Sequence, residues 1–175
     1  MEDYLEEEMK IMDERGNEHC ISSDVFYNPI STLDLEKAFC LTASDSLAEA
    51  VSYFKEEGAN AIVITDEGGK LSGILTERDI VLRAVGVVTD YSKALIKDFM
   101  TSDPVYLKNE DSMVYIFHNM HLGSFRHIPI VDDDLRPLHV VSVRDAVSFI
   151  LEFFPEEIDN VCDFPFRGER SREGA

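Results

Sequence analysis

Apolar residues along this chain follow two rhythms, and the same succession of rhythms occurs twice. Leu47, Ala50, Val51 and Phe54 stand at i, i+3, i+4 and i+7, the stripe of an amphipathic helix. Met113, Ile116, Phe117 and Met120 repeat that stripe. Ser46 and Ser112 precede the two stripes as candidate helix caps, and Glu49 completes a capping-box pattern in the first. A short continuous apolar run follows each helix, at residues 61–64 and 127–131, and predicts a buried strand. Turn residues come next, Asp66-Glu67-Gly68-Gly69 and Asp132-Asp133-Asp134. Second strands are predicted over 72–75 and 138–141. Second helices begin at Thr76, carrying Ile80, Val81, Ala84 and Val85, and at Ser142, carrying Ala146, Val147, Ile150 and Leu151.

The two successions share one register. Asp45-Ser46 recurs as Asp111-Ser112, Ile62, Ile64 and Asp66 as Ile128, Ile130 and Asp132, and Arg78-Asp79 as Arg144-Asp145, always 66 residues apart. Separated matches that keep one spacing mark an internal duplication. The fold class that follows is α/β (α+β): two β-α-β-β-α repeats, each too small to bury both faces of its helices alone and so packed together about a pseudo-two-fold axis. The expected organisation is an acidic N-terminal segment over 1–34, partly helical, a first repeat over 35–86, a polar linker over 87–97, a second repeat over 98–154, and a tail over 155–175 whose charged end is expected to be disordered.

Charge narrows the function. Sixteen Lys and Arg stand against 35 Asp and Glu, a formal net charge of −19. That field repels a nucleic-acid backbone and an anionic membrane surface, so neither is an expected partner. Cys20, Cys40 and Cys162 are widely spaced and form no CxxC pair, which suggests neither a disulfide framework nor a structural metal. The acidic N-terminus lacks the pattern of a signal peptide, and no apolar run approaches the roughly 20 residues that span a bilayer, so a cytoplasmic location is expected.

The motif with chemical content is hydroxyl-x-x-Asp at a strand-to-helix turn: Thr76-Glu77-Arg78-Asp79 and Ser142-Val143-Arg144-Asp145. At such a turn, free backbone N–H groups and the positive end of the helix dipole face outward and suit an anion. The Asp carboxylate only accepts hydrogen bonds and can take two at once, which matches the two donors of a ribose diol. The same spacing is also a capping arrangement that needs no ligand. Both readings stay open at this stage.

Gly73-Ile74-Leu75-Thr76-Glu77-Arg78-Asp79-Ile80 resembles the signature of CBS domains. Arg126-His127-Ile128-Pro129-Ile130-Val131-Asp132 is similar to the family's preceding strand, Met100-Thr101-Ser102-Asp103-Pro104-Val105 to the segment opening a second repeat, and Phe154-Pro155-Glu156-Glu157 to a tail of stand-alone bacterial members. The resemblance spans residues 35–154. It implies two clefts between the repeats, each taking the hydroxyl-x-x-Asp of one repeat and the opening segment and strand of the other. It further implies AMP, ADP, ATP or S-adenosylmethionine as ligand, and a homodimer.

Carried over, the first cleft would use Ile74, Thr76 and Asp79 facing Thr101, Val105, Phe125, Arg126 and His127. Asp79 would hold the ribose and Arg126 would offset phosphate charge. The second cleft would use Val140, Ser142 and Asp145 with Ala59, Asn60 and Ala61. There His139 replaces Gly73, and Asn60-Ala61 replaces Arg126-His127, so the strand supplies no cation. The second cleft is therefore expected to be weaker, blocked, or limited to a less charged ligand. His118 and His121 share a helix face but lack a third metal ligand, and a solvated face is expected. No nucleophile–base pair, P-loop or GxGxxG is present. The function expected is a regulatory module that senses an adenosyl ligand and acts on an unidentified protein without catalysis. The alternative is a dimerisation or interaction scaffold with vestigial clefts.

Overall fold

The structure is a computed structural model and describes residues 23–123 and 125–152. Residues 1–22 and 153–175 lie outside the described residues, and with them most of the segment expected to be partly helical and the end expected to be disordered. Ser23–Ala146 form one compact unit, which holds both repeats up to the first turn of the last helix.

The first repeat runs β1 (Cys40–Thr42), α1 (Leu47–Glu56), β2 (Ala61–Thr65), β3 (Leu71–Thr76) and a single α turn, α2 (Glu77–Asp79), that widens into a π-helical stretch, Ile80–Ala84. Then come β4 (Thr101–Ser102) and the second repeat: β5 (Leu107–Lys108), α3 (Val114–Gly123), β6 (His127–Val131), β7 (Pro137–Ser142) and α4 (Val143–Leu151). In each repeat the first strand pairs parallel with the second, and the second antiparallel with the third. Both antiparallel pairs shift register one step before the turn, at Ile64/Thr65 and Ile130/Val131.

The duplication extends to the core. Leu41, Leu47, Ala50, Ile62, Ile64, Leu75 and Ile80 are buried in the first repeat. Their counterparts 66 residues on, Leu107, Met113, Ile116, Ile128, Ile130, Val141 and Ala146, are buried in the second. Fully burying each large aliphatic chain contributes roughly 1.5–3 kcal/mol. The turn acids recur atom for atom. Asp66 Oδ1 accepts from the N–H groups of Gly68 and Lys70 at 2.9 and 2.8 Å, and Asp132 Oδ1 from those of Asp134 and Arg136 at 2.9 and 2.8 Å.

The repeats are also woven together. β4 pairs with β3, setting Thr101 opposite Ile74. In the converse arrangement Lys37 bridges to His139, and Ala38 N–H donates to the Leu138 carbonyl at 3.0 Å. Each repeat's leading segment thus lies against the last strand of the other. Residues 87–97 do more than span the gap between repeats: Leu47 N–H donates to Ala94 O at 2.9 Å, and Ile96 N–H to Asp45 O at 3.0 Å. Ile96 is fully buried there. Ile30 takes the equivalent place before the second repeat, fully buried, with its N–H on Asp111 O at 2.8 Å.

One expectation fails locally. Ile80, Val81, Ala84 and Val85 were expected to share an apolar face. Ile80 and Ala84 are buried, whereas Val81 and Val85 are 62% and 58% exposed. The same pattern recurs in the second repeat, where Ala146 is buried while Val147 and Leu151 are 46% and 45% exposed on an ordinary α-helix. In the first repeat Val85 N–H donates to Ile80 O at 3.0 Å, the i to i+5 bond that makes the stretch π-helical. Among the described residues no helix is long and apolar enough to cross a membrane.

Candidate functional site

The two hydroxyl-x-x-Asp corners fold alike. At the end of β3, Asp79 Oδ2 accepts from Thr76 N at 3.0 Å and from Thr76 Oγ1 at 2.6 Å, while Asp79 N donates to Thr76 Oγ1 at 3.3 Å. At the end of β7, Asp145 Oδ2 accepts from Ser142 N and Oγ, both at 2.7 Å, and Asp145 N donates to Ser142 Oγ at 3.3 Å. Both corners are reciprocal capping boxes. One carboxylate oxygen of each Asp is thereby committed to the backbone.

The second oxygens differ. Asp79 Oδ1 faces the Arg83 guanidinium, with Nη2 at 3.6 Å, and Arg83 Nη1 also donates to the carbonyls of Phe99 and Met100 at 2.8 and 3.1 Å. Among the described residues Asp145 Oδ1 accepts no hydrogen bond and joins no ion pair. Asp145 lines a cavity of about 450 Å³, within the roughly 300–1,000 Å³ usual for small-molecule sites.

That cavity gathers every residue predicted for the second cleft: Asn60, Ala61, Val140, Ser142 and Asp145, with Ala59 beside them. His127, predicted for the first cleft, lies here too, because its Cα partner on β7 is Ser142. Burial and the neighbouring Arg126 charge hold its imidazole below the ordinary histidine value, and the Asp145 carboxylate pulls weakly the other way. His139 is not part of the wall; its Nδ1 lies 3.1 Å from Glu36 O. In the first repeat this position is Gly73, where a Cβ would stand 2.7 Å from Met100 Sδ and 3.1 Å from Thr101 O.

Of the first-cleft residues, Ile74 and Thr101 are partners across β3 and β4, and Thr76 and Asp79 share the capping box. Val105 and Arg126 are exposed and Phe125 is half-buried. None of these three hydrogen-bonds or ion-pairs with Thr76 or Asp79 among the described residues. Gly123 admits Phe125, since a Cβ there would collide with the ring.

Sequence reasoning missed two cations on the Asp145 cavity, Lys37 and Arg144, and the ring of Phe39. The duplication could have found the ring. Val105, predicted for the first cleft, maps 66 residues back onto Phe39. Lys37 has no such signal, because Asp103 stands at its counterpart. His118 and His121 lie on α3, and no group of three metal-ligating side chains occurs among the described residues.

The CBS domain family model matches residues 30–86 and 96–152. The chain is 32% identical over 112 residues to the CBS domain-containing protein CBSCBSPB3 of Arabidopsis thaliana, covering 63% of this chain and a fifth of that protein's length. It superposes on the CBS domain pair of protein MJ0100 in complex with 5′-methylthioadenosine and S-adenosyl-L-methionine at a TM-score of 0.59. The identity there is 26%, over 66% of this chain and 94% of that one. CBSX2 in complex with AMP shares the fold at a TM-score of 0.63 and 15% identity, over 71% of this chain and 97% of that one. The chain belongs to the CBS-domain family and carries two such domains in tandem.

Proposed function

We propose that this chain is a non-catalytic regulatory module that binds an adenosine-containing ligand between its repeats, in the cavity floored by Ser142 and Asp145. The observation that carries this reading is that Asp145, whose Oδ1 takes part in no hydrogen bond among the described residues, lines a 450 Å³ cavity. A carboxylate with one oxygen fixed by its capping box is preorganised, so its second oxygen can accept from a ribose diol at little entropic cost. Phe39, Ala59 and Val140 offer an apolar wall for a base. Solved relatives of this fold hold AMP, 5′-methylthioadenosine and S-adenosyl-L-methionine.

The charges around the cavity weigh against a polyphosphate. Asp34, Glu36, Glu57 and Asp145 oppose Lys37 and Arg144, and the depressed His127 adds no positive charge at neutral pH. AMP or S-adenosylmethionine fits this balance better than ATP. Ile74, Thr76, Asp79, Thr101, Val105, Phe125 and Arg126 form the proposed second position. Two chains are proposed to pair through the exposed strip of Val81, Leu82 and Val85, and to transmit ligand occupancy to a partner protein as a change of shape. The scaffold alternative has its own support, because both capping boxes are complete without a ligand.

Calorimetric titration with AMP, ATP and S-adenosylmethionine separates the readings. Binding of AMP or S-adenosylmethionine, lost in Asp145→Ala, supports the sensor. No heat and no thermal shift with any of the three supports the scaffold.

A further inference from the structure

The corner of the first repeat carries a contact that the second lacks. Arg83 follows Asp79 by four residues, at the π-helical turn, and its guanidinium spans three acceptors: Asp79 Oδ1 at 3.6 Å, Phe99 O at 2.8 Å and Met100 O at 3.1 Å. The Asp79 side chain is 15% exposed and that of Arg83 48%. Oδ2 is held by Thr76, and Oδ1 accepts no hydrogen bond but has the Arg83 guanidinium beside it as an ion-pair partner. The carbonyls of Phe99 and Met100 belong to the turn that leads into Thr101 of β4, the partner of Ile74 on the edge of β3. One side chain therefore ties the sugar-binding candidate, the helix and the leading segment of the opposite repeat together. The residue 66 positions on is Phe149, which carries no guanidinium.

We infer that Arg83 is an internal latch that withholds Asp79 from ligand, so that the chain loads one adenosyl ligand, at Asp145. The inference rests on the function proposed above. Its physical basis is competition. A ribose hydroxyl that approaches Asp79 Oδ1 must compete with a guanidinium that stands beside that oxygen and neutralises its charge. An ion pair half-exposed to water is weak by itself. The two carbonyl bonds hold the guanidinium in place and reduce the entropy lost in keeping it there.

Calorimetric titration of the full chain with AMP reads the latch as stoichiometry. The wild type takes one AMP per chain. Arg83→Ala takes two, with the affinity of the first-repeat cleft raised up to about fivefold, the scale of a partly exposed ion pair. Adding Asp79→Ala to that variant returns the stoichiometry to one. Arg83→Gln, which keeps length and hydrogen-bonding capacity but loses the charge, behaves as Arg83→Ala and serves if the alanine variant does not fold. Two AMP per wild-type chain, or one per chain in folded Arg83→Ala and Arg83→Gln, overturns the latch and leaves the sensor reading intact. Weaker binding in both variants makes Arg83 a ligand contact and overturns it as well. No AMP bound by wild type or any variant overturns the latch together with the reading it rests on.

Discussion

The corner at Thr76 and the corner at Ser142 make the same set of hydrogen bonds, 3.0, 2.6 and 3.3 Å in one and 2.7, 2.7 and 3.3 Å in the other. Yet the second carboxylate oxygen of one stands beside Arg83, whereas that of the other has no such partner and its residue lines a cavity. What the repeats share serves the backbone. Asp45 and Asp111 each accept from a strand-end N–H, Thr42 and Lys108, at 2.6 and 2.7 Å. Asp66 and Asp132 close the hairpins, and Asp79 and Asp145 cap the helices. The repeats differ at Arg83 against Phe149, Gly73 against His139 and Asn60-Ala61 against Arg126-His127, and of these Asn60, Ala61 and His127 line the cavity.

Core truncation is expected to give the largest effects and tests how equal the halves are. Ile62→Ala and Ile128→Ala each remove a fully buried side chain at matching strand positions, and each is expected to cost about 3 kcal/mol by chemical denaturation. Costs that differ by more than about 1.5 kcal/mol would break the equivalence of the two cores.

A smaller effect sharpens the contrast at the edge strands. Gly73→Ala places a Cβ against Met100 Sδ and Thr101 O and is expected to destabilise by about 1–3 kcal/mol through overpacking. His139→Ala, at the matching position, removes only the contact with Glu36 O and is expected to cost about 1 kcal/mol or less. Equal costs would mean that Gly73 does not govern the approach of β4.

The smallest effect is one of pH. His127 is held below its ordinary value in the folded chain, by burial first and Arg126 second, so the unfolded chain takes up a proton at higher pH than the folded one. Its contribution is complete above the ordinary histidine range and is lost as pH falls through that range. His127→Gln is expected to flatten the fall in stability between neutral pH and pH about 5. An unchanged slope would assign it to other groups.

Much of the fold was legible because duplication prints a pattern twice. The 66-residue offset gave the element order and the stripes of α1 and α3, and the turn signals gave the hairpins. The π turn at Ile80–Ala84 was not legible: Ile80, Val81, Ala84 and Val85 have ordinary helical spacing, and the wider turn appears only as a bond between Ile80 and Val85. The candidate site was legible as a list and less so as a ranking. Counting cations on β2 and β6 alone favoured the Asp79 cleft. Arg83 enters from the following helix and Lys37 from the leading segment, and neither lies in the strand where charge was counted. The ranking is accordingly proposed in the opposite order, with Asp145 as the principal site.

A crystal structure grown with AMP tests this most directly. The account predicts nucleotide in the Asp145 cavity, with ribose hydroxyls within hydrogen-bond distance of Oδ1 and the Arg83–Asp79 contact unbroken. Nucleotide bound instead at Asp79, with Arg83 swung away or gripping its phosphate, would contradict it.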